Sequence, residues 1–204
     1  MKAAVSLSRR SEDGLSVAID TVKKLLEFDF EVYAQESYKK FFQNMNVKYL
    51  ETSEELISVC DIAVSIGGDG TMLRVSKLAS LNGKETIGVN AGRLGFMTAI
   101  EKHELDMLKY VLDGNYKVEE RMMLKAEVIE NDKVLSSAYC LNDAVITRGN
   151  QARLIDIEAY ADYGEITRVR ADGIIVATPT GSTAYSMASG GPVVSPNHSC
   201  FIIT

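Results

Sequence analysis

Asp61-Ile62-Ala63-Val64-Ser65-Ile66 runs directly into Gly67-Gly68-Asp69-Gly70-Thr71, and helical spacing follows over residues 72–81. A short apolar run that ends in glycines reads as a buried strand. Its handover to a helix is where an α/β sheet places its ligands. Working outward, residues 86–89 fit another strand, and Thr52-Ser53-Glu54-Glu55 reads as a capped helix start with early acids, running to about Cys60. Nearer the N-terminus, residues 3–7 read as a strand and residues 31–34 as a second. Between them Leu15, Ala18, Ile19, Val22, Leu25 and Leu26 recur at helical spacing. Strands alternating with helices predict a parallel sheet with helices on its faces, an α/β domain over residues 1–100.

From about Tyr116 the rhythm changes. Residues 116–131, 133–149, 153–162 and 165–178 are strand-like, with turns at Asn131-Asp132 and Asp162-Tyr163-Gly164. The stretch 101–115, closed by Gly114, reads as a helix bridging the halves. Residues 101–204 are thus expected to form a β-rich, sandwich-like domain. The sequence stops at Phe201-Ile202-Ile203-Thr204, inside an apolar run that reads as a strand with an unpaired edge. The second domain is therefore read as incomplete at its C-terminus.

Bulk properties exclude several classes. Of 204 residues, 46% are hydrophobic and 25% charged, the balance of a globular chain. The formal charge of −6 argues against broad electrostatic capture of nucleic acid. Cys60, Cys140 and Cys200 are too dispersed for a zinc site or a disulfide framework and read as reduced thiols. No apolar run approaches the roughly 20 residues of a membrane span, so the chain is read as cytoplasmic.

The glycine loop carries the chemistry. Glycines let the backbone approach phosphate oxygens, and the helix that follows offers unpaired N–H groups and a positive dipole end. A carboxylate among phosphates is repelled unless it holds a magnesium ion or takes a proton from an attacking hydroxyl. The plain alternative is a tight turn in which Asp69 merely caps the helix beginning near Gly70. The loop has neither the Gly-Lys-Ser/Thr ending of a Walker A motif nor the Rossmann glycine spacing.

Gly67-Gly68-Asp69-Gly70-Thr71 resembles the signature shared by NAD kinases, the diacylglycerol and sphingosine lipid kinases and, more loosely, 6-phosphofructokinases. Three further segments narrow the resemblance to NAD kinases: Asn90-Ala91-Gly92-Arg93-Leu94-Gly95-Phe96, the pair Asn142-Asp143, and the run from Ala171-Asp172-Gly173 through Thr178-Pro179-Thr180-Gly181-Ser182-Thr183-Ala184-Tyr185 to Gly190-Gly191-Pro192. Lipid kinases share the first motif but not, in this form, the last.

The resemblance implies transfer of a phosphoryl group from ATP or another donor to the 2′-hydroxyl of NAD. In it Asp69 is the general base and with Gly70 contacts NAD, while Gly67, Gly68 and Gly70 cradle the donor phosphates. Magnesium bridges those phosphates. Arg74 matches a ligand-proximal position whose plain alternative is a solvated helix arginine, and Phe96 an aromatic beside the adenine whose alternative is a core residue. Asn142 matches the reader of adenine or ribose edges. Asp143 stands where the family has glutamate, which shortens its arm and puts its ribose contact in doubt. Arg153, Arg170 and Asp172 match further ligand contacts, the last two reaching across a subunit interface. Thr180, Thr183, Ala184, Tyr185 and Ala188 match the wall that holds the dinucleotide, although any single threonine there could be only a helix cap. The resemblance also implies a homo-oligomer, dimer or tetramer. Two alternatives stand beside it: a non-catalytic dinucleotide-binding fragment, and a lipid or other small-molecule kinase using the same loop.

Overall fold

Strands β1 (Lys2–Leu7) and β4 (Ile62–Gly67) form the centre of a six-stranded parallel sheet in the computed structural model, which describes residues 1–8, 12–92, 95–150 and 152–204. The remaining strands are β2 (Glu31–Gln35), β3 (Val47–Leu50), β5 (Glu85–Asn90) and β6 (Ile100–Glu101), in the order β3-β2-β1-β4-β5-β6. Every pairing is parallel. Strands buried on both faces carry near-continuous apolar runs, as β1 and β4 do, each broken by one serine, Ser6 and Ser65. Helix α1 (Glu12–Glu27) places Ala18, Val22 and Leu25 against Val5, Val64 and Ile66 on one face. Helices α2 (Ser53–Val59) and α3 (Asp69–Leu81) place Leu56, Ile57, Val75 and Ala79 against Ala4 and Ala63 on the other.

The α2 start forms as read: the Thr52 hydroxyl accepts from Glu55 N at 3.1 Å, and Glu55 Oε2 accepts from Thr52 N at 3.2 Å. Replacing Thr52 with Ala removes this capping box and is expected to cost ~1 kcal/mol, read as a lower urea midpoint for the first unit. The short edge strand β3 was not anticipated by the sequence reading.

The chain divides into compact units Met1–Val118 and Glu119–Thr204, later than residue 100. The expected helix over 101–115 is shorter than its pattern: Glu101 pairs in β6, a 3₁₀ turn covers Leu105–Met107, and α4 spans only Leu108–Leu112. Leu105, Leu108 and Val111 pack into the first unit's core, which places this segment there.

The second unit is β-rich. Strands β7 (Leu124–Glu130) and β8 (Lys133–Cys140) form an antiparallel hairpin turned by Asn131 and Asp132, both at positive φ (49° and 60°). A second hairpin joins β10 (Ile155–Ala161) to β11 (Gly164–Ala171). Strands β9 (Asp143–Thr147), β12 (Gly173–Ala177) and β13 (Ile202–Ile203) make a sheet in the order β13-β12-β9. Ile175, Ala177 and Ile202 are its core, with the short helix α5 (Tyr185–Ala188) following β12.

Candidate active site

Strand order reverses between β1 and β4, and the crevice outside the carboxyl ends of two such strands is where open α/β sheets bind ligands. Ser8, just past β1, donates its N–H to the Ile66 carbonyl at 2.9 Å, so the glycine loop emerges beside it. Gly67 has φ +156°, and a Cβ there would meet Thr71 Oγ1 at 2.5 Å and Thr71 Cβ at 2.9 Å. The fold itself needs that glycine. Gly68 and Gly70 differ: a Cβ at either enters open space. No described residue requires their bareness, which suits close approach by a ligand.

Asp69 is not a cap. Helix α3 begins at Asp69, its N-cap is Gly68, and no side chain caps it. The carboxylate instead accepts from two backbone amides beyond β5, Phe96 N to Oδ2 at 3.0 Å and Met97 N to Oδ1 at 3.1 Å. Gly95 lies so close that a Cβ would overlap the carboxylate. Phe96 is 74% exposed, which excludes the core alternative for its ring. Arg93 and Leu94 of the same motif lie outside the described residues. Arg74 is exposed and donates Nη2 to the Ser6 hydroxyl of β1 at 3.2 Å. It lines a cleft of about 390 Å³ between α2 and α3 with Ser6, Leu56, Val75 and Leu78.

In the second unit the turn after β12 is stitched to the start of β9. Thr178 N donates to the Asn142 carbonyl at 2.7 Å, its hydroxyl donates to the Leu141 carbonyl at 2.5 Å, and the same Thr178 Oγ1 accepts from Gly181 N at 3.1 Å. Asn142 is thereby fixed by its backbone, while its side-chain Oδ1 is buried without a hydrogen-bond partner. A buried acceptor without a donor is uncommon and marks where a ligand group could bond.

The hydroxyl-rich run sorts by direction. Ser182 Oγ accepts from Val194 N at 3.0 Å and donates to the Val194 carbonyl at 3.2 Å, and Ser186 Oγ bonds Thr204 Oγ1 at 2.9 Å. With Thr178, these inward hydroxyls hold the structure. Thr180 is also buried, and its hydroxyl accepts from Arg121 Nη1 at 3.4 Å. Thr183 and Ala184 are half-buried, and Tyr185 and Ala188 are exposed. The remaining expected contacts are exposed on this unit. Arg153 lies in a loop, Arg170 pairs with Asp156 at 3.4 Å, and Asp172 pairs with Arg148 at 2.5 Å.

Burial pushes the Asp143 carboxyl above its ordinary range. In the unfolded chain that carboxyl ionises at its ordinary value. Between the two values the folded state binds more protons, so this group's contribution makes stability fall as pH rises through the window. Asp143→Asn is accordingly expected to raise the melting temperature at neutral pH and leave it unchanged well below that window, in thermal scans at both pH values. Burial also drives the Cys60 thiol up to about 12, in keeping with an unreactive thiol.

The chain matches the ATP-NAD kinase N-terminal domain over residues 9–116 and the ATP-NAD kinase C-terminal domain over residues 141–204. It is 40% identical over 206 residues to the NAD kinase of Thermoanaerobacter sp. (strain X514), covering all of this chain and 71% of that one. With the NAD kinase of Symbiobacterium thermophilum it is 46% identical over 145 residues, 71% of this chain and 51% of the relative. Among solved structures, an Archaeoglobus fulgidus NAD kinase in complex with ATP aligns over all of this chain and 71% of its own length, with TM-score 0.69 and 31% identity. Yeast NADH kinase complexed with NADH shares the fold at TM-score 0.91 and 23% identity, with 65% of its length covered. Two family domains matched in order, together with relatives aligned from end to end of this sequence, establish that the chain belongs to the NAD kinase family.

Proposed function

We propose that this chain transfers the terminal phosphoryl group of ATP to the 2′-hydroxyl of NAD, giving NADP. The observation that carries the reading is Asp69: a carboxylate at the head of α3, at the sheet's switch point, oriented by two backbone amides and flanked by glycines open to space. Phosphoryl transfer is mostly positioning and charge stabilisation, with little covalent work for the protein. Asp69 orients and deprotonates the attacking hydroxyl. Gly67, Gly68 and Gly70 admit the donor phosphates to the first N–H groups of α3, which have no acceptor within the helix. The Archaeoglobus relative, with ATP bound, supports the choice of donor.

On the second unit, Asn142 offers its buried, unpartnered Oδ1 to a donor such as the adenine amino group. Asp143 and the outward part of the run, Thr183, Ala184, Tyr185 and Ala188, line the dinucleotide on this unit. On the first unit, Phe96 presents an exposed ring suited to stacking on a base. Arg153, Arg170 and Asp172 are outlying contacts. Among the described residues no three His, Cys, Asp or Glu side chains converge as a metal cage. Magnesium is commonly held by substrate phosphates with one or two carboxylates, and here it would come bound to the triphosphate and offset its charge.

Assembly of copies is supported by open apolar strands, among them Val128, Ile129, Val134 and Leu135 of the first hairpin. No described helix is long and apolar enough to cross a membrane, and a cytoplasmic setting is part of the proposal. The test is NADP formation from NAD, ATP and magnesium, with NAD binding followed by calorimetry. Turnover supports the reading; absence of both turnover and binding overturns it, and binding alone favours the non-catalytic alternative.

A further inference from the structure

Asp69 owes its orientation to amides in the loop between β5 and β6, and that loop is tied at both ends through one side chain. Asn90, the last residue of β5, is only 2% exposed. Its Nδ2 donates to Glu101 Oε1 at 3.0 Å and Oε2 at 3.2 Å, and its Oδ1 accepts from Gly92 N at 3.0 Å. The same two residues face each other in the β5–β6 ladder. Glu101 is held in turn, because its N–H donates to Glu104 Oε2 at 3.2 Å. The Ala91 N–H donates to the Gly67 carbonyl at 3.1 Å, coupling the start of the loop directly to the glycine turn.

Glu101 is itself half-buried, but a carboxylate makes stronger hydrogen bonds than a neutral acceptor, and its two oxygens hold the buried Asn90 amide in one orientation. Here the fixed object is a loop whose far side presents the Phe96 and Met97 amides to Asp69. We propose that Glu101, acting through Asn90, is a positioning residue for the phosphoryl-transfer reaction: the pair ties Gly92 to β6, on either side of the Phe96 and Met97 amides, and so sets the aim of the Asp69 carboxylate. Glu101 touches no reacting atom in this scheme. The proposal rests on the reading of Asp69 as the base.

The experiment compares Glu101→Ala and Glu101→Gln with the unaltered chain, reading kcat and KM for NAD and ATP, together with hydrogen exchange at the Phe96 and Met97 amides. Glu101→Ala removes both acceptors from Asn90. It is expected to lower kcat by roughly 10–100-fold, the scale of a misplaced catalytic group, with both KM values little changed and faster exchange at those two amides. Glu101→Gln keeps one carbonyl acceptor of the same length and is expected to recover most of kcat and of the protection. Unchanged protection of the β4 amides Val64 and Ile66 in either variant distinguishes local release from unfolding. Amides at 96 and 97 that stay protected in Glu101→Ala, a kcat that does not fall, or loss of β4 protection in both variants would overturn the proposal. Failure of Asp69 as the base shows separately, as full turnover by Asp69→Asn.

Discussion

Asp69→Asn is expected to lower the turnover number for NADP formation by ~10²–10⁴-fold, the range contributed by a positioned general base. NAD affinity should stay near its starting value. The substitution preserves side-chain volume, and the carboxamide oxygen still accepts from one of the two amides, Phe96 N or Met97 N. The other amide then faces an NH₂ group, and the lost hydrogen bond costs about 1–3 kcal/mol. Part of any loss of turnover therefore reflects a loosened loop rather than a missing base, and hydrogen exchange at the Phe96 and Met97 amides separates the two. Turnover lost while both amides keep their protection is the loss of the base. Turnover lost together with that protection is a loss of geometry. A mutant that keeps its turnover ends the assignment.

The glycine loop was legible because its two neighbours announce themselves by pattern: residues 62–66 are apolar but for Ser65, and 72–81 repeat at helical spacing. The capping box of α2 and the Asn131-Asp132 turn were legible for the same local reason, since each is specified by side chains within a few residues. The partners of Asp69 were not. They are backbone amides 27 and 28 positions away, and a backbone N–H leaves no signature in residue type. The helix expected over 101–115 failed at its first turn because Glu101 answers to Asn90 across the sheet, a long-range demand that outweighs its local pattern. In the hydroxyl-rich run, composition gave the class of group but not its direction. Thr178, Ser182 and Ser186, four apart, turn inward to structural partners, whereas Tyr185 stays exposed and the half-buried Thr183 donates only to the neighbouring Thr180 carbonyl at 3.4 Å.

Two glycines chosen by this geometry should respond oppositely to alanine. At Gly181 the added Cβ falls inside the Asn142 carbonyl oxygen and within 2.5 Å of its carbon and 2.8 Å of its Cα. Those are backbone atoms and cannot swing aside. The turn must lift from Leu141 and Asn142, weakening the bonds made by Thr178 N, the Thr178 hydroxyl and Gly181 N. Overpacking alone costs typically 1–3 kcal/mol, and each weakened hydrogen bond adds to it, so a loss of about 3 kcal/mol or more is expected. Among the described residues the buried cluster of that sheet is small, Ile175, Ala177 and Ile202 with Val194 packed against it, so the loss should appear as early unfolding in urea. At Gly68 the Cβ meets nothing and φ is −103°. Alanine reduces the freedom of the unfolded chain, worth ~0.4–1 kcal/mol, but serves less well than glycine at a helix N-cap. The two effects oppose, and the urea midpoint should scarcely move. The methyl group would nevertheless stand where the donor phosphates approach, so KM for ATP should rise while KM for NAD holds. If Gly68→Ala binds ATP unchanged, the open space beside Asp69 is not the phosphate cradle, and the donor must be sought at another face of the loop.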